Sequence, residues 1–181
     1  MLVFAGPNGS GKTTLTRKLR VFGTYVNADD MKLAEGLTDL EAAQQAELIR
    51  NRLLDDGADF SFETVLSTER NLLLLEKAKR RGYEVQCVYV LTCDEDINVA
   101  RVKDRRASGG HDVPEAKIRE RYRRALALLP RLVSVCDKML IYDNSDVPSL
   151  IFSKTHSVHE FFPNRRWSWA ALRTLVGAAT K

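Results

Sequence analysis

Gly6-Pro7-Asn8-Gly9-Ser10-Gly11-Lys12-Thr13, followed by Thr14, satisfies G-x-x-x-x-G-K-[ST] at every position. The short apolar run Leu2-Val3-Phe4-Ala5 ahead of it reads as a buried strand. Leu15, Leu19 and Val21 behind it fall near helical spacing. Strand, glycine-rich turn and helix form the context that separates a phosphate loop from a chance match. Gly6, Gly9 and Gly11 let the backbone turn inward, so that successive N–H groups converge on one anion. A helix opening near Gly11 adds free N–H groups and a positive dipole end. Lys12 is expected to reach the β- and γ-phosphates, and the Thr13 hydroxyl to hold Mg²⁺. The stretch from Gly6 to Thr14 is thus the predicted binding site for a nucleoside triphosphate.

Working outward, strands and helices alternate. Tyr25 to Ala28 reads as a second strand that delivers Asp29 and Asp30, and Met31 to Leu54 as one helix with Ala42, Ala46, Ile49 and Leu53 on a face. Asp59 to Phe62 reads as a strand delivering Glu63, and Leu72 to Arg81 as a helix stopped by Gly82. Val85 to Leu91 is apolar enough for a central parallel strand. Asp94 to Arg106 and Pro114 to Val133 read as helices, and Lys138 to Tyr142 as a fifth strand delivering Asp143, Asn144 and Ser145. This order predicts an α/β fold of the P-loop NTPase kind: a five-stranded parallel sheet flanked by helices, resembling nucleotide kinases, with a lid. Residues 1–146 are expected to form that domain. Residues 147–181 are expected to add a small C-terminal hairpin and helix packed on it, with Phe161, Phe162, Trp167 and Trp169 covering an edge.

Ligands of such sheets bind beyond the carboxyl ends of the strands, which gathers Asp29, Asp30, Glu63 and Asn144 around the loop. Transfer of a phosphoryl group to a hydroxyl needs a metal, positive charge on the transferred group and often a base. One of these carboxylates is a candidate base and another a candidate ligand of Mg²⁺ or of the acceptor, although Asp29 and Asp30 also suit a helix N-cap. Asp143 competes for the metal role. Asn144 falls where the last strand carries a base-binding loop. In the basic segment, Arg101 and Arg105 share a helix face and lead toward Gly109-Gly110-His111, as in a closing lid whose arginines neutralise the γ-phosphate. Arg121 and His111 are further substrate-side candidates; a solvated face paired with Asp104, Glu115 and Glu120 accounts for most of the other arginines.

The 181 residues carry a net charge of +4, with 44% hydrophobic and 29% charged residues, as in a globular domain. No apolar run approaches the roughly 20 residues needed to span a bilayer, and the N-terminus enters a strand directly, so a cytoplasmic protein is expected. Cys87, Cys93 and Cys136 have neither disulfide-framework nor metal-site spacing. The basic clusters are dispersed, so nucleic acid is not the expected partner. No D-x-x-G or N-K-x-D occurs, which sets a switch GTPase aside.

Gly6 to Thr14, Asn27-Ala28-Asp29, Phe62-Glu63-Thr64-Val65-Leu66-Ser67, Asn98 to Val102, Gly109 to Pro114, Arg121-Tyr122 and Tyr142 to Ser145 together resemble the zeta-toxin family of P-loop kinases, in its small single-domain branch. The resemblance implies ATP- and Mg²⁺-dependent phosphorylation of a small-molecule hydroxyl, a sugar nucleotide in the better-known toxins, and allows for an antitoxin partner. It implies that Lys12, Asp29, Glu63, Arg101 and Arg105 are catalytic, with Asp29 activating the acceptor. It places Thr13 and Glu63 at the metal, and Asp29, Glu63, Thr64, His111 and Arg121 at the acceptor. His111 stands where the larger toxins have a second arginine. The alternatives are an ATPase working on a nucleic-acid or protein partner, and a metabolite or nucleotide kinase without toxicity.

Overall fold

A computed structural model describes residues 1–17, 19, 21–107 and 113–178. The expected roles of Gly109, Gly110 and His111 lie outside the described residues. Seven strands form one sheet: β1 (Leu2–Ala5), β2 (Thr24–Val26), β3 (Phe60–Thr64), β4 (Gln86–Leu91), β5 (Lys138–Asp143), β6 (Ser149–Thr155) and β7 (Val158–Phe161). Their order is β2-β3-β1-β4-β5-β6-β7. The first five run parallel; β6 and β7 continue the sheet antiparallel beyond β5. The expected hairpin therefore extends the sheet to seven strands.

β1 lies between β3 and β4, so the chain leaves it toward one edge and later returns to the other side. The crevice at such a switch of direction is where open α/β sheets take their ligands. The phosphate loop follows β1 directly into it.

Alternation along the strands builds two unequal cores. Val3, Ala5, Phe60, Phe62, Cys87, Tyr89, Met139 and Ile141 face a large buried cluster, whereas Leu2, Phe4, Val88 and Val90 face a smaller one with Leu15, Phe22 and Tyr25. Phe60 and Phe62, fully buried, stack at 6.1 Å between ring centroids; each side chain is worth roughly 1.5–3 kcal/mol of burial.

The helices are α1 (Lys12–Thr16), α2 (Ala28–Glu35), α3 (Asp39–Asp55), α4 (Glu69–Arg80), α5 (Glu95–Ala107), α6 (Glu115–Val135) and α7 (Trp169–Val176). Two depart from expectation. The helix after the loop stops at Thr16, leaving Leu19 and Val21 exposed; its threonines are weak helix formers, and the Thr16 hydroxyl turns back to the Lys12 carbonyl. The long helix expected from Met31 to Leu54 is two helices. Gly36 ends α2 in the left-handed region at φ 67°, and Thr38 with Glu41 forms a capping box that starts α3. The T-x-x-E signal was present within an otherwise continuous helical pattern. At the far edge Phe161 contacts Phe152 and Trp169, and Trp167 is buried.

Candidate active site

The loop is braced from behind. Gly9 has φ 77°, and a Cβ there would meet the Asn98 carbonyl oxygen of α5 at 2.5 Å. Asn98, fully buried, donates from Nδ2 to the Asn8 carbonyl at 2.5 Å and accepts a short bond from Thr92 Oγ1. Asn144 Nδ2 donates to the Ser10 carbonyl at 2.7 Å and fills the space in which a Gly11 side chain would stand. Asn98 is absent from the expected site. Its trace in the sequence is an amide among the otherwise apolar buried positions of α5.

With carbonyls tied back, the inward side of the loop is left to N–H donors. α1 has five residues, so the loop's own N–H groups supply most of the anion-binding field. The Ser10 hydroxyl is buried without a partner. Half-buried Lys12 donates from Nζ to the Pro7 carbonyl at 3.0 Å. Burial lowers its pKa to about 8, opposed by Glu63 and Asp29. A cation costly to hold there, with an unpaired hydroxyl beside it, fits a phosphate chain.

Glu63 leaves the end of β3 toward this loop. Its Oε2 accepts from Thr13 Oγ1 at 3.1 Å and its Oε1 from Tyr25 Oη at 2.8 Å. Asn27 Nδ2 in turn donates to Tyr25 Oη at 3.3 Å. Tyr25, raised in pKa first by burial and then by Glu63, stays a neutral donor. It too is absent from the expected set, because the β2–β3 register that puts Tyr25 opposite Ser61 is a tertiary fact. Thr13 and Glu63 are the side chains suited to Mg²⁺. Among the described residues no group of three or more His, Cys, Asp or Glu gathers at one metal-sized point. Mg²⁺ usually combines one or two protein ligands with substrate phosphates and water, which this pair fits.

Asn27 caps α2 by accepting from the Asp29 N–H at 3.0 Å. The cap that competed for Asp29 is thus filled by its neighbour, and Asp29 is exposed along the cleft. That cleft, about 1000 Å³, is lined by Asn8, Gly9, Gly11, Lys12, Thr13 and Thr14 of the loop and by Asp29, Glu63, Thr64 and Arg50. Thr64 Oγ1 accepts from the Leu66 N–H (3.0 Å) and Asn71 Nδ2 (2.7 Å), which leaves its own proton to donate. Leu66, buried, holds φ 53° to make this turn.

Arg101 and Arg105 also line the cleft. Arg101 donates from Nη1 to the Asn144 carbonyl (2.7 Å) and from Nη2 to the Ser145 carbonyl (3.2 Å), joining α5 to the end of β5. Arg121 lies outside the cleft lining and reaches Asn8 Oδ1 at 3.5 Å, on the loop's side. Asp143 is buried and accepts from the Ser145 N–H at 3.0 Å, a structural engagement. Of the other arginines, Arg119 pairs with Glu95, Asp96 and Glu115, Arg123 with Glu95, and Arg124 with Glu120.

The sequence profile of the Zeta toxin family matches residues 20–155. An uncharacterized protein of Haemophilus influenzae is 29% identical over 128 residues, 67% of this chain and 91% of its own length. Among solved structures, the AvrRxo1-ORF1:-ORF2 complex with ATP aligns with a TM-score of 0.70 at 14% identity, over 88% of this chain and 59% of that one. The chain thus spans less than two thirds of that neighbour. A structure from the PezAT chromosomal toxin-antitoxin system of Streptococcus pneumoniae aligns with a TM-score of 0.58 at 17% identity, over 98% and 82% of the two chains. At these identities the structural likenesses speak for the fold.

Proposed function

This chain belongs to the Zeta toxin family, and on that premise we propose that it is an ATP-dependent kinase that phosphorylates a hydroxyl of a small molecule. The observation that carries the reading is the contact of Glu63 with Thr13. It sets a strand-end carboxylate against the phosphate loop's hydroxyl at the head of a cleft that also contains Asp29 and has room for an acceptor.

In the proposed reaction the loop N–H groups and Lys12 hold the β- and γ-phosphates, with Lys12 charged once it meets them. Thr13 and Glu63 would hold Mg²⁺, which would supply positive charge to offset the negative charge of the phosphate oxygens. The Asp29 carboxylate takes the proton from the acceptor hydroxyl, whose oxygen forms the new bond to the γ-phosphorus as the bond to the β–γ bridging oxygen breaks. Arg105 faces the transferred group from α5, while Arg101 secures the donor end through Asn144 and Ser145. The ion-paired arginines of α6 form no open basic stripe, which favours a metabolite over nucleic acid.

By likeness to the PezAT system an antitoxin-type protein is the proposed partner, and a sugar nucleotide is one acceptor to test. No described helix is long and apolar enough to cross a membrane. A cytoplasmic location is proposed with the use of ATP as donor. The test is a mass-spectrometric screen of a metabolite extract with γ-labelled ATP, repeated with Asp29→Asn while nucleotide affinity is monitored. A labelled product that the variant fails to make, at unchanged ATP affinity, is expected. Undiminished transfer by the variant overturns the base assignment, and the absence of any labelled product overturns the kinase.

A further inference from the structure

Arg50 lies in the wrong kind of place for an arginine without a task. On α3 it occupies the buried stripe Ala42, Ala46, Arg50, Leu54, spaced by four, and is 8% exposed. Its guanidinium lies 5.0 Å from the centroid of the Phe62 ring, and its Nε is buried without a hydrogen-bond partner. Among the described residues no carboxylate forms an ion pair with it. Glu47, one turn earlier, accepts from Arg70 Nη1 at 3.0 Å instead. Burial pushes the Arg50 pKa down; Glu47 opposes this and Arg70 adds to it. An arginine keeps its charge even so, and a buried charge lacking a counter-ion is costly unless something supplies one.

The position says what could supply it. Arg50 and Asn71 line both the main cleft and a smaller adjoining pocket of about 240 Å³ that also contains Arg70 and Lys77. Beside them Thr64 has both lone pairs taken by Leu66 and Asn71, so its hydroxyl proton is free to point at an acceptor atom. Arg70 and Lys77 are themselves paired with Glu47 and Asp55, so the unpaired donors left to meet an anion are the Arg50 guanidinium and the Thr64 hydroxyl proton. We infer that Arg50, with the help of Thr64, forms a second anion site in this cleft, which takes a phosphoryl or carboxylate group of the acceptor while the acceptor's hydroxyl faces Asp29. That the anion belongs to an acceptor rests on the kinase reading; the anion site does not.

The test keeps the two apart. Protein saturated with a non-hydrolysable ATP analogue and Mg²⁺ is titrated calorimetrically with inorganic phosphate, pyrophosphate and citrate, in wild type, Arg50→Met and Arg50→Lys. One saturable anion site beyond the loop is expected in wild type, weakened about tenfold or more by Met, the scale of a lost charge-assisted contact. Lysine should restore part of it. Removing an uncompensated buried charge should leave the Tm of Arg50→Met unchanged or raised, whereas an arginine that merely packs would lower Tm and leave anion binding intact. No saturable site in wild type, or equal affinity in wild type and both variants, overturns the inference. Binding of the three probes also separates phosphate from carboxylate recognition. A protein that transfers phosphate to neutral alcohols and ignores these anions would keep the kinase and lose the anion site; anion binding at Arg50 without any phosphoryl transfer would do the reverse.

Discussion

The Tyr25 phenol donates a 2.8 Å hydrogen bond to Glu63 Oε1 and fixes one edge of a carboxylate whose other edge meets Thr13. A tyrosine on an edge strand thus orients the proposed metal-side carboxylate. Tyr25→Phe keeps the ring and removes the donor, so a stability loss of about 1 kcal/mol is expected. The functional effect should be larger: a several-fold higher Mg²⁺ requirement for phosphoryl transfer with ATP affinity nearly unchanged, read from Mg²⁺ titrations at fixed ATP. Transfer with unaltered Mg²⁺ dependence would show that Glu63 needs no such support.

Lys12 has its pKa lowered to about 8 in the nucleotide-free protein. Phosphates favour the charged form and raise it again. Above pH 8, therefore, binding takes up a proton, and affinity for ATP falls as pH rises between that value and the pKa of the complex. Calorimetry at pH 8.5 in two buffers of different ionisation enthalpy should report net proton uptake. Lys12→Met should abolish the uptake and most of the affinity.

A methyl group at residue 9 has nowhere to go. Gly9→Ala would press a Cβ on the Asn98 backbone and hold alanine at φ 77°, at a cost of order 1–3 kcal/mol. Reduced Tm together with loss of nucleotide binding is expected from thermal melts with and without ATP.

The two α5 arginines should separate kinetically. Arg101 holds the carbonyls of Asn144 and Ser145, so Arg101→Lys should raise the KM for ATP with a smaller change in kcat. Arg105→Lys, if its guanidinium meets the transferred group, should lower kcat at nearly constant KM. Steady-state kinetics on a confirmed acceptor decides; equal effects on both constants in both variants would remove the distinction.

Much of this was readable from residues alone, because the loop, the strand ends and the alternation of elements are local patterns. Glu63 and Asp29 are legible from their places at strand ends, and both line the cleft. Tyr25 and Asn98 are not legible in this way, since their roles arise from register and from one helix meeting the loop. Arg50 left a usable trace, a charge at i+4 and i+8 from two alanines of an apolar stripe, but a face drawn through Ile49 and Leu53 passed beside it. The break at Gly36 was hidden because helical periodicity continues across it, while the capping signal at Thr38 is only four residues long.

That break divides the cleft into regions of unequal firmness. The phosphate loop is locked to α5 and β5 through Asn98 and Asn144, whereas α2, which carries Asp29, buries none of its residues and ends at a glycine. Amide hydrogens of α2 should therefore exchange with solvent through small local openings, long before those of β1 and β4. An acceptor bridging α2 to the sheet would slow that exchange selectively, so protection of residues 28–35 offers a reporter of acceptor capture that needs no catalytic turnover.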